Sequence, residues 1–82
     1  MITKNKEIAA IKALQNVIIR ARAMAYEKVD HAKIADLLDT TEYLAALIYD
    51  KEDMTDIFRE NLVELAKKHK CNMALHEFDS GQ

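Results

Sequence analysis

Proline and tryptophan are absent from the 82 residues, glycine occurs once, at Gly81, and cysteine once, at Cys71. An all-β fold needs tight turns, and their usual residues are missing here. The same shortage excludes the glycine-rich loops that hold phosphates in dinucleotide-binding and P-loop folds. A lone cysteine forms no intrachain disulfide, which fits a reducing cytosol. The first residues, from Met1 to Glu7, lead into no apolar signal core. No uncharged apolar run approaches the ~20 residues of a membrane span. The expectation is a cytoplasmic chain with no membrane partner. An excess of positive charge is lacking too. Twelve Lys+Arg face 14 Asp+Glu, for a formal net charge of -2. Such a balance does not neutralise a nucleic-acid backbone, so no nucleic-acid partner is expected.

What is present reads as helix. Half the residues are hydrophobic and 32% are charged, a globular composition. Residues 1–82 show no repeat, linker or low-complexity segment and read as a single helical domain. A first helix is expected over about 5–27, where Ile8, Ile11, Leu14, Ile18, Ala21 and Ala25 recur at helical steps. Thr3 or Asn5 can cap it. Asp30 is the strongest N-cap candidate, and Val29 and Ile34 flank it at the spacing of a hydrophobic staple. A second helix follows over about 31–49, with Ile34, Leu37, Leu38, Leu44, Ala45 and Ile48 on one side. Asp50 to Asp53 is a polar turn, and Asp53 or Thr55 can cap a third helix over about 54–70. Met54, Ile57, Phe58, Leu62, Leu65 and Ala66 form the face of that helix. Lys67, Lys68 and Lys70 gather at its negative end, and Asn72 is a candidate left-handed stop. The tail predicts a short helical turn at about 73–78, carrying Leu75 and Phe78, before Ser80, Gly81 and Gln82 fray. The expected fold is all-α: a small up-down-up three-helix bundle with that turn packed back on it.

The first helix carries more apolar surface than one small core uses. Ala10, Ala13, Leu14, Val17, Ile18, Ala21, Met24 and Ala25 fill a broad sector in helical projection. Ile8, Ile19 and Tyr26 fall on a separate edge, with Gln15 and Arg22 beside it. Two readings compete for that edge: a dimer or partner surface, and cover by the segment holding Leu75 and Phe78. On the second helix Tyr43 projects among acidic residues, and tyrosine is enriched in interface cores. The candidate interface set is Ile8, Ile19, Arg22, Tyr26 and Tyr43.

Candidate chemistry is thin. His69, Cys71 and His76 are zinc-ligand types, with His31 as the remaining histidine, but their spacing matches no finger or ribbon. The acidic pairs Asp36 with Asp39, Asp39 with Glu42, and Asp53 with Asp56 occupy polar faces and caps. No Glu-x-x-His repeat of a bundle di-iron site is present. No catalytic residue, metal ligand or cofactor site is assigned, and no enzymatic activity is expected. Residues 33–49 imitate a helix-turn-helix, with Ile34, Ala35, Leu37 and Leu38 followed by Thr40 and Thr41. The would-be recognition helix then offers Glu42, Tyr43 and Asp50, a surface that repels phosphates. The sequence reading is a small cytoplasmic protein–protein interaction module, homodimeric, acting as adaptor, inhibitor or regulator. A DNA-binding regulator with a degenerate helix-turn-helix at 33–49 is the alternative.

Overall fold

A computed structural model describes residues 4–49 and 55–80. Thr3, the polar turn expected from Asp50 to Asp53, Met54 and the terminal Gly81 and Gln82 lie outside the described residues. Four helices follow in order: α1 Lys4–Tyr26, α2 His31–Tyr49, α3 Thr55–His69 and α4 Asn72–Ser80. No strand occurs among the described residues. No helix among them is long and apolar enough to cross a membrane.

The helix ends show why the chain breaks where it does. Asp30 caps α2: its carboxylate accepts the Ala32 amide at 3.1 Å and its carbonyl accepts the Lys33 amide at 3.0 Å. Val29 and Ile34 sit half-buried against the core on either side of that cap. Upstream, α1 stops when Lys28 turns left-handed at a φ of 59°. The Val29 amide then reaches back to the Met24 carbonyl and the Lys28 amide to that of Ala25, satisfying two orphan acceptors. The end of α3 repeats the device, with Lys70 at a φ of 55° and the Cys71 amide bonded to the Ala66 carbonyl.

Three local expectations are corrected here. The left-handed stop is Lys70, not Asn72, which opens α4. Asn5 is already inside α1 and does not cap it. The short turn expected at 73–78 is a nine-residue helix. It is long enough to act as a wall, so the fold has four helices instead of three. Packing runs in a ring: α1 lies against α2 and α4, and α3 lies against the same two.

The core fills the centre of that ring. Phe58, Phe78, Leu37, Leu44, Leu62 and Val17 are its largest fully buried side chains. The Phe58 and Phe78 rings stack with centroids 4.9 Å apart, joining α3 to α4. Lys6 closes the opposite side of Phe78, its ammonium 4.1 Å from the ring centroid and 2.8 Å from the Phe78 carbonyl oxygen. Arg59 grips Asp79 through two bonds of 2.9 and 3.0 Å. These contacts hold α4 against α1 and α3.

Within α1 the buried side is made almost wholly of small residues: Ala9, Ala10, Ala13, Val17 and Ala21, with Met24. Alanine forms helix readily and lets neighbouring helices approach closely. Ile18 and Ala25, expected in the broad core sector, are exposed, and Leu14 is only half-buried. Leu38 and Ile57, expected on the inner faces of α2 and α3, are exposed as well. The alanine side of α1 takes the inward position, so the bulky isoleucines two to three residues away around the helix are turned out.

Candidate interaction surface

The outward side of α1 is a second apolar face. Ile8 and Ile11 are each 45% exposed, Ile18 54%, Ile19 51% and Tyr26 81%. In helical projection these five share one sector, roughly opposite the alanine side. Gln15 and Arg22 lie in the middle of that sector, both exposed. Arg22 makes no ion pair among the described residues. Monomeric proteins scatter single exposed apolar residues freely, but a row along five turns of one helix is a patch.

Among the expected interface residues, Ile8, Ile19, Arg22 and Tyr26 come together on this face. Tyr43 is 48% exposed on α2 and belongs to a different helix. The segment holding Leu75 and Phe78 does not cover the face. Phe78 is fully buried beside Phe58, and the α1 isoleucines stay open. Ile8 borders α4, in a shallow groove that it shares with Glu77 and Ser80.

Two residues of the face were not recognised in the sequence: Ile11, counted in the general helical row, and Ile18, placed in the core sector. The steps from Ile8 to Ile11, Gln15 and Ile18 are three, four and three residues, a coiled-coil-like seam. That spacing joins Ile11 and Ile18 to the edge that holds Ile8, Ile19 and Tyr26.

The other candidate residues have structural duties. The His69 ring is buried, with Nε2 2.9 Å from Asp36 Oδ2. Lys68 Nζ reaches the same oxygen at 2.9 Å. The Lys68 ammonium, and after it the His69 ring, hold the Asp36 carboxyl below its ordinary pKa. Cys71 is buried, and its thiol points to the Asn16 carbonyl oxygen at 3.9 Å. Burial pushes that thiol above its ordinary pKa, the opposite of an activated nucleophile. His76 is exposed on α4. No group of three or more metal-binding side chains forms among the described residues. No turn interrupts α2 where a helix-turn-helix needs one. Thr40 and Thr41 instead donate their hydroxyls to the carbonyls of Asp36 and Leu37, at 3.1 and 2.8 Å, inside a continuous helix.

Comparison with protein-family models, with curated proteins and with solved structures finds no match to this chain.

Proposed function

We propose that the protein is a small helical interaction module that pairs with a second copy of itself through the outward face of α1. One observation carries this reading: Ile8, Ile11, Ile18, Ile19 and Tyr26 remain exposed together after all four helices have packed. A two-fold partner presents the same face and closes it without requiring any other surface. Gln15 and Arg22 in the middle of the row limit how tightly it closes, since charge is depleted from interface cores.

The expected affinity follows from area. From Ile8 to Tyr26 the face is about 27 Å long and about 10 Å wide, on the order of 300 Å² per protomer. A standard stable complex buries roughly 800 Å² per partner. A face this small gives a weak, reversible pairing, as suits an adaptor, inhibitor or regulator that exchanges partners. The α1 isoleucines stay exposed although α1 packs against both α2 and α4. The buried unpaired thiol of Cys71 suits a reducing, cytoplasmic setting.

Sedimentation equilibrium of the intact chain tests the reading. A dimer is expected at tens of micromolar. Ile18→Asp and Ile19→Asp should each give a monomer with an unchanged far-UV circular dichroism spectrum, because both side chains are half-exposed. A wild-type chain that stays monomeric at millimolar concentration overturns the proposal, as does a dimer indifferent to both substitutions.

A further inference from the structure

On the side of α1 away from the isoleucines, the end of α1, the start of α2 and the end of α3 form an open cleft of about 200 Å³. Arg20, Lys33, Lys68, His69 and Lys70 line it, with Met24 and Val29 as its apolar part. Four cations around one small cleft stand out in a chain whose formal net charge is -2.

The helix dipole accounts for only some of them. Lys68 lies in the last turn of α3 and Lys70 just beyond it, where positive charge is favoured. Lys33 lies in the first turn of α2, at the positive end of that dipole, with the Asp30 cap three residues before it. The dipole of its own helix does not account for a cation there.

The four cations divide into two kinds. Arg20 and Lys68 are anchored. Arg20 Nε donates to the His69 carbonyl at 3.1 Å and its Nη1 lies 3.7 Å from Glu27, while Lys68 Nζ lies 2.9 Å from Asp36. Lys33 and Lys70 are exposed and make no ion pair among the described residues. Anchored cations are already ordered, so a ligand spends little binding energy arranging them. Lys33 and Lys70, held in no ion pair among the described residues, keep their ammonium groups available to a ligand.

We propose that this cleft binds the phosphoryl group of a small phosphate monoester, with a short apolar body resting on Met24 and Val29. A phosphomonoester carries about -1.5 to -2 charge near neutral pH and three acceptor oxygens. That suits two ammonium groups beside an anchored guanidinium and an anchored ammonium better than a single carboxylate does. The surroundings exclude a polyanion. Glu27, Asp30 and Asp36 stand next to the cationic residues in sequence or in ion pairs, so a nucleic-acid strand running out of the cleft meets carboxylates.

The test is an NMR titration of the intact, isotope-labelled chain with phenyl phosphate, with benzoate as a monoanion carrying the same ring. Saturable shifts are expected at the backbone amides of Arg20, Met24, Val29, Lys33, Lys68 and Lys70, with benzoate binding more weakly. The double variant Lys33→Glu with Lys70→Glu should weaken phenyl phosphate by about tenfold or more. Its circular dichroism should match wild type, because neither lysine is buried or paired. Shifts that grow linearly without saturating, shifts spread over lysines elsewhere, or undiminished binding by the double variant overturn the assignment. A single-stranded DNA oligomer that binds the cleft more tightly than phenyl phosphate overturns it too, in favour of a nucleic-acid strand.

Discussion

His69 Nε2 and Asp36 Oδ2 lie 2.9 Å apart, across 33 residues of chain. A carboxylate only accepts, so Nε2 carries the hydrogen of this bond. The same histidine's carbonyl oxygen receives Arg20 Nε at 3.1 Å. One buried residue at the end of α3 is thus tied to α2 by its ring and to α1 by its backbone. Lys68, the preceding residue, adds its ammonium to the same Asp36 oxygen. Two consecutive residues of α3 therefore converge on one atom of α2.

Acid should loosen this junction first. The Lys68 and His69 bonds lower the Asp36 pKa in the folded chain. A carboxylate with a depressed folded pKa contributes stability above its unfolded pKa and loses it as pH falls through the folded value. The loss therefore begins near the ordinary carboxylate range, about pH 4, and continues below it. Asp79, lowered by Arg59, adds to the same trend. Thermal melts at a series of pH values should show the wild type losing stability from about pH 4 downward. Asp36→Asn should be less stable at pH 7 and show a shallower decline, with the Asp79 share remaining. An equally steep decline in Asp36→Asn would contradict the assignment.

The core should respond according to burial and closeness, not hydrophobicity alone. Phe58→Ala and Phe78→Ala should each cost about 3–5 kcal/mol, because both rings are fully enclosed. Leu14→Ala should cost only about 1–2 kcal/mol, because its side chain is half-buried. Ala13 is fully buried on the narrow side of α1, so Ala13→Leu should cost about 1–3 kcal/mol by forcing neighbouring helices away. Urea unfolding measures all four. A neutral Ala13→Leu would show that the alanine side is loosely packed.

Glycine should improve the end of α1. Lys28 occupies the left-handed region at a φ of 59°. That conformation costs an L-residue roughly 1–2 kcal/mol, and glycine avoids the cost. Glycine gives back roughly 0.5–1 kcal/mol through its freer unfolded chain. Lys28→Gly should therefore raise stability by about 0.5–1 kcal/mol. Ala25→Gly, an exposed helical position three residues earlier, should lower it by about 1 kcal/mol. Thermal melts of the two variants should move in opposite directions. If both move down, the left-handed turn carries no strain.

Local features of this chain were legible without tertiary information. Helical periodicity, the lack of turn residues and the Asp30 cap are properties of a few neighbouring residues. They place α1, α2 and α3 close to where the structure has them. The edge formed by Ile8, Ile19 and Tyr26 was also visible, because one helix fixes which of its own residues share a side. Most of the exposed apolar face could therefore be read before any packing was known.

How much of the broad sector of α1 turns inward was decided only by the assembled helices. A projection of α1 groups Ala10, Ala13, Val17, Ala21 and Met24 with Leu14, Ile18 and Ala25, and it does not say which part of that sector the neighbours enclose. Packing encloses the alanine side, where small residues let α2 and α4 approach closely, and leaves Ile18 and Ala25 at the surface. The joining of Asp36 to His69, of Lys6 to Phe78, and of Arg20 to the cleft beside Lys33 belongs to the same level. Each depends on where one helix lies against another, and local sequence constrains only the rotation and ends of a helix, not its neighbours.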